Sequence, residues 1–67
     1  MKVFVNEKEI ILFRGAKVKD AVLSFDRTVM RRIAMYEILD IYGNPTDIDG
    51  ALQENSRLTV KLKNIQQ

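Results

Sequence analysis

Two short runs of β-branched and aromatic residues open the chain. They cover residues 2–5 and 9–13 and are separated by the polar connection Asn6-Glu7-Lys8. Asparagine favours tight turns, and the flanking runs are of strand length. The pattern therefore predicts an antiparallel β-hairpin at the start of the chain.

A helical period follows a break at residues 14–16. Four apolar residues recur there at i, i+3, i+4 and i+7, namely Val18, Ala21, Val22 and Phe25. This spacing puts them on one face of a helix, which we expect to lie on the sheet. Lys17 offers no side-chain acceptor to the free amides of the first turn, whereas Asp20 suits the positive end of the helix dipole.

Residues 26–34 leave two alternatives open. Apolar residues continue at Val29, Met30 and Ile33, and neither glycine nor proline interrupts the segment. Either the first helix continues, or Asp26 caps a short second helix at 27–34. The second alternative is favoured, because a single helix of about 17 residues would overhang a sheet whose strands have about five.

The second half of the chain reads as strand, loop and strand. Residues 35–41 are strand-like, and Tyr42-Gly43-Asn44-Pro45 provides strong turn chemistry. In the loop 46–56 we expect Ile48 and Leu52 to pack under the core and Gly50 to adopt a left-handed backbone.

The last strand is expected at residues 57–63. Leu58, Val60 and Leu62 alternate there with polar residues. Such alternation is typical of a sheet with one buried and one wet face.

Composition limits the chemistry. The 67 residues are 46% hydrophobic and 30% charged, which suits one small globular domain spanning residues 1–67. Cysteine and histidine are both absent, which removes thiolate chemistry and the commonest metal ligand and general base. We therefore expect no enzyme, no catalytic residues, no cofactor and no metal site. The longest apolar run is residues 10–13, so no membrane span is expected and the cytoplasm is the default location.

Charge is unevenly distributed along the chain. The net charge is only +2, yet residues 33–56 carry five acidic and no basic residues, while both flanking regions are net basic. This asymmetry can mark two faces of opposite potential. The interpretation that these are ordinary solvated charges is favoured.

The predicted fold class is α+β. An N-terminal hairpin and two further strands make a mixed four-stranded sheet, and one main helix packs on it. This is the β-grasp (ubiquitin-like) arrangement. The segment Gly15-Ala16-Lys17-Val18 resembles the Gly-x-x-Val helix start of ThiS/MoaD-type sulfur carriers and, second, of TGS domains. Residues 39–60, with their turn at 42–45 and the loop before the last strand, resemble the second half of those families.

The resemblance also has departures. Asn55-Ser56 stands where a Gly-Asp pair is common, and asparagine tolerates the same left-handed conformation. Sulfur carriers present a C-terminal Gly-Gly, whereas residues 64–67 read Asn-Ile-Gln-Gln. The chain as written is therefore not expected to act as a sulfur carrier for thiamine or molybdopterin synthesis. That activity remains an alternative if the C-terminus is truncated.

Basic residues supply the candidate partner-binding sites. Arg27 and Arg31 lie at i, i+4 with Arg32 beside them, a grouping that can grip a phosphate or an acidic partner, although a solvated helix face is favoured. The remaining candidates are Lys17 near the helix start and Lys61 and Lys63 on the wet face of the last strand. These two lysines either extend the arginine patch or are edge-strand lysines that discourage aggregation, and the second explanation is favoured.

Two other groups of residues have simpler explanations. Asp40, Asp47 and Asp49 lack the spacing of a calcium loop, and turn chemistry explains them better. Tyr36 and Tyr42 share the parity of one strand, and one or both are expected to cover the edge of a thin core.

Two function classes follow. The first is a non-catalytic protein-interaction module, monomeric, with an unknown protein partner, binding through an exposed sheet face or the arginine-rich segment. The alternative is a TGS-like domain associated with a nucleotide or RNA, in which the basic residues neutralise phosphates.

Overall fold

The computed structural model of the protein describes residues 1–63, and its fold begins with a β-hairpin. Strands β1 (Lys2–Val5) and β2 (Lys8–Ile11) pair antiparallel, with Val5 opposite Lys8. Asn6 and Glu7 form the turn with φ of 50° and 68°, the left-handed conformations of a type I′ turn. The hairpin is confirmed. Its turn is one residue shorter than predicted, and β2 ends at Ile11 instead of residue 13.

The helical region is divided at Asp26. Helix α1 (Val18–Phe25) ends there and helix α2 (Arg27–Arg31) begins. Asp26 is extended, with φ −164°, and its carboxylate accepts a hydrogen bond from the Thr28 N–H at 2.8 Å. This confirms the favoured alternative of two helices. The second helix is shorter than the predicted range 27–34, because a 3₁₀ turn, Ile33–Met35, follows it.

Four strands make one mixed sheet. Strands β3 (Tyr36–Leu39) and β4 (Arg57–Leu62) complete it in the order β2-β1-β4-β3. The central strands β1 and β4 are parallel, and the outer pairs are antiparallel. The α+β class is thus confirmed. The interpretation of Lys61 and Lys63 as edge-strand lysines is wrong, because Lys61 lies on the inner strand β4, Lys63 follows that strand, and the edges are β2 and β3.

Helix α1 covers one face of the sheet. Its buried residues Val18, Ala21 and Val22 contact a layer of strand residues that are also buried. That layer consists of Val3, Val5, Ile10, Ile38, Leu58 and Val60. The predicted alternation in β4 holds for Leu58 and Val60 but fails for Leu62, which is 60% exposed near the end of the strand.

The connection from β3 to β4 is held by its own polar side chains. One oxygen of Asp40 accepts hydrogen bonds from the N–H groups of Tyr42 and Asn44, both at 2.9 Å. This makes Asp40 a turn residue, as predicted. Ile48 and Leu52 pack half-buried against the core, which confirms their expected position.

The glycines in this region correct one prediction, and the tyrosines confirm another. Gly50 does not have a positive φ; Gly43 does, at 80°. Gly50 instead lies close to the loop backbone, because a Cβ there would make a tight contact of 3.0 Å with the Asp47 carbonyl oxygen. Tyr36 packs on the core, whereas Tyr42 lies beyond β3 and is 83% exposed, so only Tyr36 covers the core edge.

None of the helices formed by residues 1–63 combines the length and the apolar character needed to cross a membrane.

Candidate functional site

The face of the sheet that points away from α1 has no covering element among residues 1–63. Side chains alternate along a strand, so the neighbours of the buried strand residues project from this side. We call it the open face, and it comprises Lys2, Phe4, Glu9, Ile11, Glu37, Leu39, Arg57, Thr59 and Lys61. Ile11 is 69% exposed there.

The parallel pairing of the two central strands brings Phe4 and Arg57 together. These residues are direct partners in the β1–β4 register, and the guanidinium carbon lies 4.3 Å from the centre of the phenyl ring. The Lys2 ammonium lies 5.9 Å from the same ring. Cation–π contacts at exposed sites contribute about 0.5–1 kcal/mol. This contact weakly favours a position of the exposed Arg57 guanidinium against the Phe4 ring.

A shallow hollow of about 200 Å³ lies beside this pair. Its lining is mixed and consists of Phe4, Asn6, Glu7, Asp40, Ile41, Arg57, Leu58 and Thr59. Ile41 is 66% exposed. The hollow thus places one arginine and two carboxylate-bearing residues beside exposed apolar side chains, so a ligand can make apolar and charged contacts together at this site.

The two candidate lysines of the last strand lie in different surroundings. Lys61 is on the open face opposite Glu37, and its ammonium lies 3.9 Å from that carboxylate. Lys63 instead lines a pocket of about 290 Å³ at the β3 edge, together with Ile33, Tyr36 and Asp47. The structure does not bring Lys61 and Lys63 into one basic patch.

A second surface lies where α1 meets α2. Leu23, Arg27, Met30 and Arg31 line an open groove of about 390 Å³, which we call the α1–α2 groove. Leu23 is 47% exposed although α1 buries most of its other apolar residues. The structure thus places two of the three candidate arginines at one apolar groove.

The other two candidates on the helical side lie elsewhere. Arg32 follows α2 as its C-cap and does not line the groove. Lys17 lies at the opposite end of α1, one helix length away, which for eight residues is about 12 Å. The six basic candidates therefore do not form one site.

The groove arginines have no acidic partner within the described part of the chain. Residues 1–63 contain two ion pairs, Lys19 with Asp49 at 3.4 Å and Lys61 with Glu37. Neither involves Arg27 or Arg31, and both of these arginines are exposed. Their positive charge is therefore available to an external group.

The acidic residues of the middle segment do not form a metal centre. Over residues 1–63 no cluster of three or more carboxylate, histidine or cysteine side chains could hold an ion. Asp40 and Asp47 accept hydrogen bonds from nearby backbone N–H groups, and Asp49 pairs with Lys19. These contacts agree with the predicted turn chemistry.

Sequence reasoning missed Phe4, Arg57 and Ile41 as a group. Phe4 and Arg57 meet only because β1 and β4 pair in parallel, and residues so far apart in sequence carry no local sign of that register. The alternation in β1 did carry one signal, since it places Phe4 on the side opposite the buried Val3 and Val5. Leu23 and Met30 were missed because apolar residues in a helix are normally assigned to the core.

No family model matches this chain, and no curated protein or solved structure shows significant similarity to it.

Proposed function

We propose that this protein is a β-grasp, ubiquitin-like module that acts by binding another protein through its open face and carries out no catalysis. The strand order β2-β1-β4-β3, the parallel central pair and the single helix across one face support the β-grasp assignment. The same features support the likeness to ThiS/MoaD-type and TGS domains.

The observation that carries the proposal is an arginine that lies on an aromatic ring beside the hollow. Arg57 lies on the ring of Phe4, next to the exposed side chain of Ile41. Arginine is enriched in the energetic centres of protein interfaces, and phenylalanine is enriched in interfaces relative to the rest of the protein surface. The absence of histidine and cysteine from the sequence also favours binding over chemistry.

Affinity capture from cells with matched variants tests this function. The variant Ile41→Ser/Arg57→Glu changes the hollow, and Arg14→Glu changes an exposed arginine outside it. We expect a partner protein that the wild type and Arg14→Glu both retain and that Ile41→Ser/Arg57→Glu loses, with chemical crosslinks on the open face. The proposal fails if every captured protein is retained equally by all three.

A second candidate function is a TGS-like association with a nucleotide or RNA. The observation in its favour is the set of exposed arginines at and after α2, Arg27, Arg31 and Arg32, which have no ion pair within residues 1–63. Titration with an oligouridylate at low and at moderate salt, followed by amide chemical shifts, tests it. Shifts at these arginines and Lys17 that weaken steeply with salt would support it, because phosphate binding releases counterions.

A further inference from the structure

We propose that the α1–α2 groove binds an acidic amphipathic segment of a partner protein. Its apolar side chains would contact Leu23 and Met30, and its carboxylates would pair with Arg27 and Arg31. The inference rests on the proposed protein-binding function, but it assigns a different surface and states the chemistry of the partner.

The apolar part of the groove is an exception to the packing of α1. Ala21 and Val22 are fully buried, whereas the next residue, Leu23, is 47% exposed. Met30 lies beside it, half-buried against the core. The two side chains thus offer a continuous aliphatic floor that no element of residues 1–63 covers.

The charged part of the groove has an arrangement that costs stability. Arg27 and Arg31 are one helical turn apart, and like charges at this spacing repel each other. The helix dipole favours Arg31 in the last turn, but it disfavours Arg27 in the first. No carboxylate among residues 1–63 pairs with either guanidinium. An acidic ligand would relieve this repulsion and gain two charge-assisted hydrogen-bonding partners.

The layout favours a peptide with one apolar and one acidic edge. Leu23 lies near the end of α1, and Met30 lies on α2 between the two arginines. Apolar and cationic groups therefore line the same groove. An amphipathic segment seated in a groove presents side chains with the same one-turn spacing. Charge complementarity then selects Asp or Glu beside its apolar residues.

The same layout is less suited to nucleic acid. Single-stranded RNA and DNA sites combine cations with aromatic side chains on which the bases stack. No aromatic residue among residues 1–63 lines this groove, and the neighbouring Phe25 packs against the core. An aliphatic floor would leave the bases without a stacking surface.

A displayed library of random dodecapeptides, selected on the whole protein, provides the test. We expect enriched peptides to carry leucine-like residues at helical spacing flanked by Asp or Glu, and to shift the amides of Leu23, Arg27, Met30 and Arg31. Neutralising both groove cations, Arg27→Gln/Arg31→Gln, should weaken the best peptide about tenfold, since exposed ion pairs each account for a few-fold in affinity.

Matched controls distinguish binding at the groove from a general effect of positive charge. Arg32→Gln removes a neighbouring cation that does not line the groove, and it should change affinity by less than about twofold. A peptide whose acidic residues are replaced by Gln should bind the wild-type protein weakly. Its affinity should be about that of the selected acidic peptide for Arg27→Gln/Arg31→Gln. Unchanged amide spectra away from the substitutions establish that each variant is folded.

Four outcomes would overturn the inference. The first is selection of neutral or basic peptides, and the second is a loss of affinity with Arg32→Gln equal to that with Arg27→Gln/Arg31→Gln. The third is a set of amide shifts confined to the open face around Phe4 and Arg57. The fourth is binding of an oligouridylate or phosphatidylserine vesicles at the groove when acidic peptides do not bind there. In the third outcome the proposed function still stands, because a peptide binds the open face. Absence of any selected peptide together with no captured partner would reject both.

Discussion

Asn6 occupies the hairpin turn and also bonds to a strand that is not part of the hairpin. Its side-chain amide donates to the Val60 carbonyl at 3.1 Å, and its side-chain oxygen accepts from the Val60 N–H at 2.9 Å. The side chain therefore continues the pairing of β1 with β4 past the end of β1. One residue joins the left-handed turn conformation to the parallel centre of the sheet.

We predict that Asn6→Ala destabilises the protein by about 2–4 kcal/mol, because it removes two hydrogen bonds and places alanine at positive φ. Asn6→Gly keeps the turn conformation and should lose only the hydrogen bonds, about 1–3 kcal/mol. Urea unfolding measures both. Glu7→Gly is the control, since Glu7 also has positive φ and glycine suits a type I′ turn. A stability of Asn6→Gly equal to that of wild type would show that the Val60 contacts contribute nothing.

Two glycines in the β3–β4 connection are required for different physical reasons. Gly43 has φ of 80°, and apart from its chain neighbours no atom lies within 4 Å of the position that a Cβ would occupy, so its constraint is conformational. Gly50 does not have a positive φ, but a Cβ there would approach the Asp47 carbonyl oxygen to 3.0 Å and the Thr46 hydroxyl to 3.2 Å. Asparagine can satisfy the first constraint and not the second.

We therefore predict that Gly43→Asn costs about 1 kcal/mol or less, because asparagine enters the left-handed region readily. Gly50→Asn should cost about 1–3 kcal/mol through overpacking against the loop backbone. Thermal or urea unfolding of the two variants measures the difference. If Gly50→Asn is tolerated as well as Gly43→Asn, the close approach at Gly50 does not constrain the loop.

At the scale of elements, Asp26 determines whether residues 18–31 form one helix or two. Its extended backbone interrupts the helix, and its carboxylate accepts the Thr28 N–H. We predict that Asp26→Ala costs about 0.5–2 kcal/mol through loss of this cap, and that Asp26→Asn retains most of the stability. In a continuous helix the alanine would stabilise instead, because alanine has the higher helix propensity. The sign of the change in urea unfolding therefore decides between the two arrangements.

Helix α1 begins with an incomplete cap that a substitution can complete. Lys17 has the extended backbone of an N-cap residue, and its N–H donates to the Asp20 carboxylate at 2.8 Å. A lysine side chain has no acceptor to offer in return. We predict that Lys17→Ser stabilises the protein by about 0.5–1 kcal/mol in urea unfolding, because serine supplies that acceptor. Lys17→Ala also lacks an acceptor, so it should not stabilise the protein. An equal gain in stability in Lys17→Ala would contradict the capping explanation.

Periodicity predicted which elements exist but not how each is bounded. The spacing of Val18, Ala21 and Val22 was sufficient for α1, and alternation was sufficient for β4. The ends of β2 and β3 depend on which residues find a partner on a neighbouring strand, and that information is not local. Gly50 shows the same limit, because a glycine in a loop signals either a special φ or a close approach, and only the folded chain distinguishes them.

The candidate surfaces were predictable to a similar degree. The i, i+4 spacing of Arg27 and Arg31 indicated two cations on one side of a helix, and the structure places both at one groove. The apolar half of that groove depends on how α1 and α2 join at Asp26. The position of Lys61 depends on strand order, and so does the contact of Phe4 with Arg57. Sequence patterning within one element leaves both undetermined.

At the scale of the whole molecule, the sheet separates two candidate binding surfaces. The open face lies on one side, and the helices that form the α1–α2 groove lie on the other. Each surface pairs an exposed aliphatic side chain with an exposed arginine, Ile41 with Arg57 and Leu23 with Arg27. The same chemical change can therefore be made on either side.

We predict that Ile41→Ser/Arg57→Glu measurably weakens binding of the open-face partner and leaves binding of a groove peptide unaffected, and that Leu23→Ser/Arg27→Glu does the reverse. Both variants change the net charge equally, so any general effect of long-range attraction on association is the same in each. Because distant sites without shared contacts act additively, combining all four substitutions should reproduce the sum of the separate losses within about 0.5 kcal/mol. Isothermal titration of each ligand against the three variants measures this. The contrary result is that one of the two-residue variants weakens the binding of both ligands while its urea unfolding is unchanged. In that case the two sides of the sheet are coupled or share one site, and the assignment of two independent surfaces is wrong.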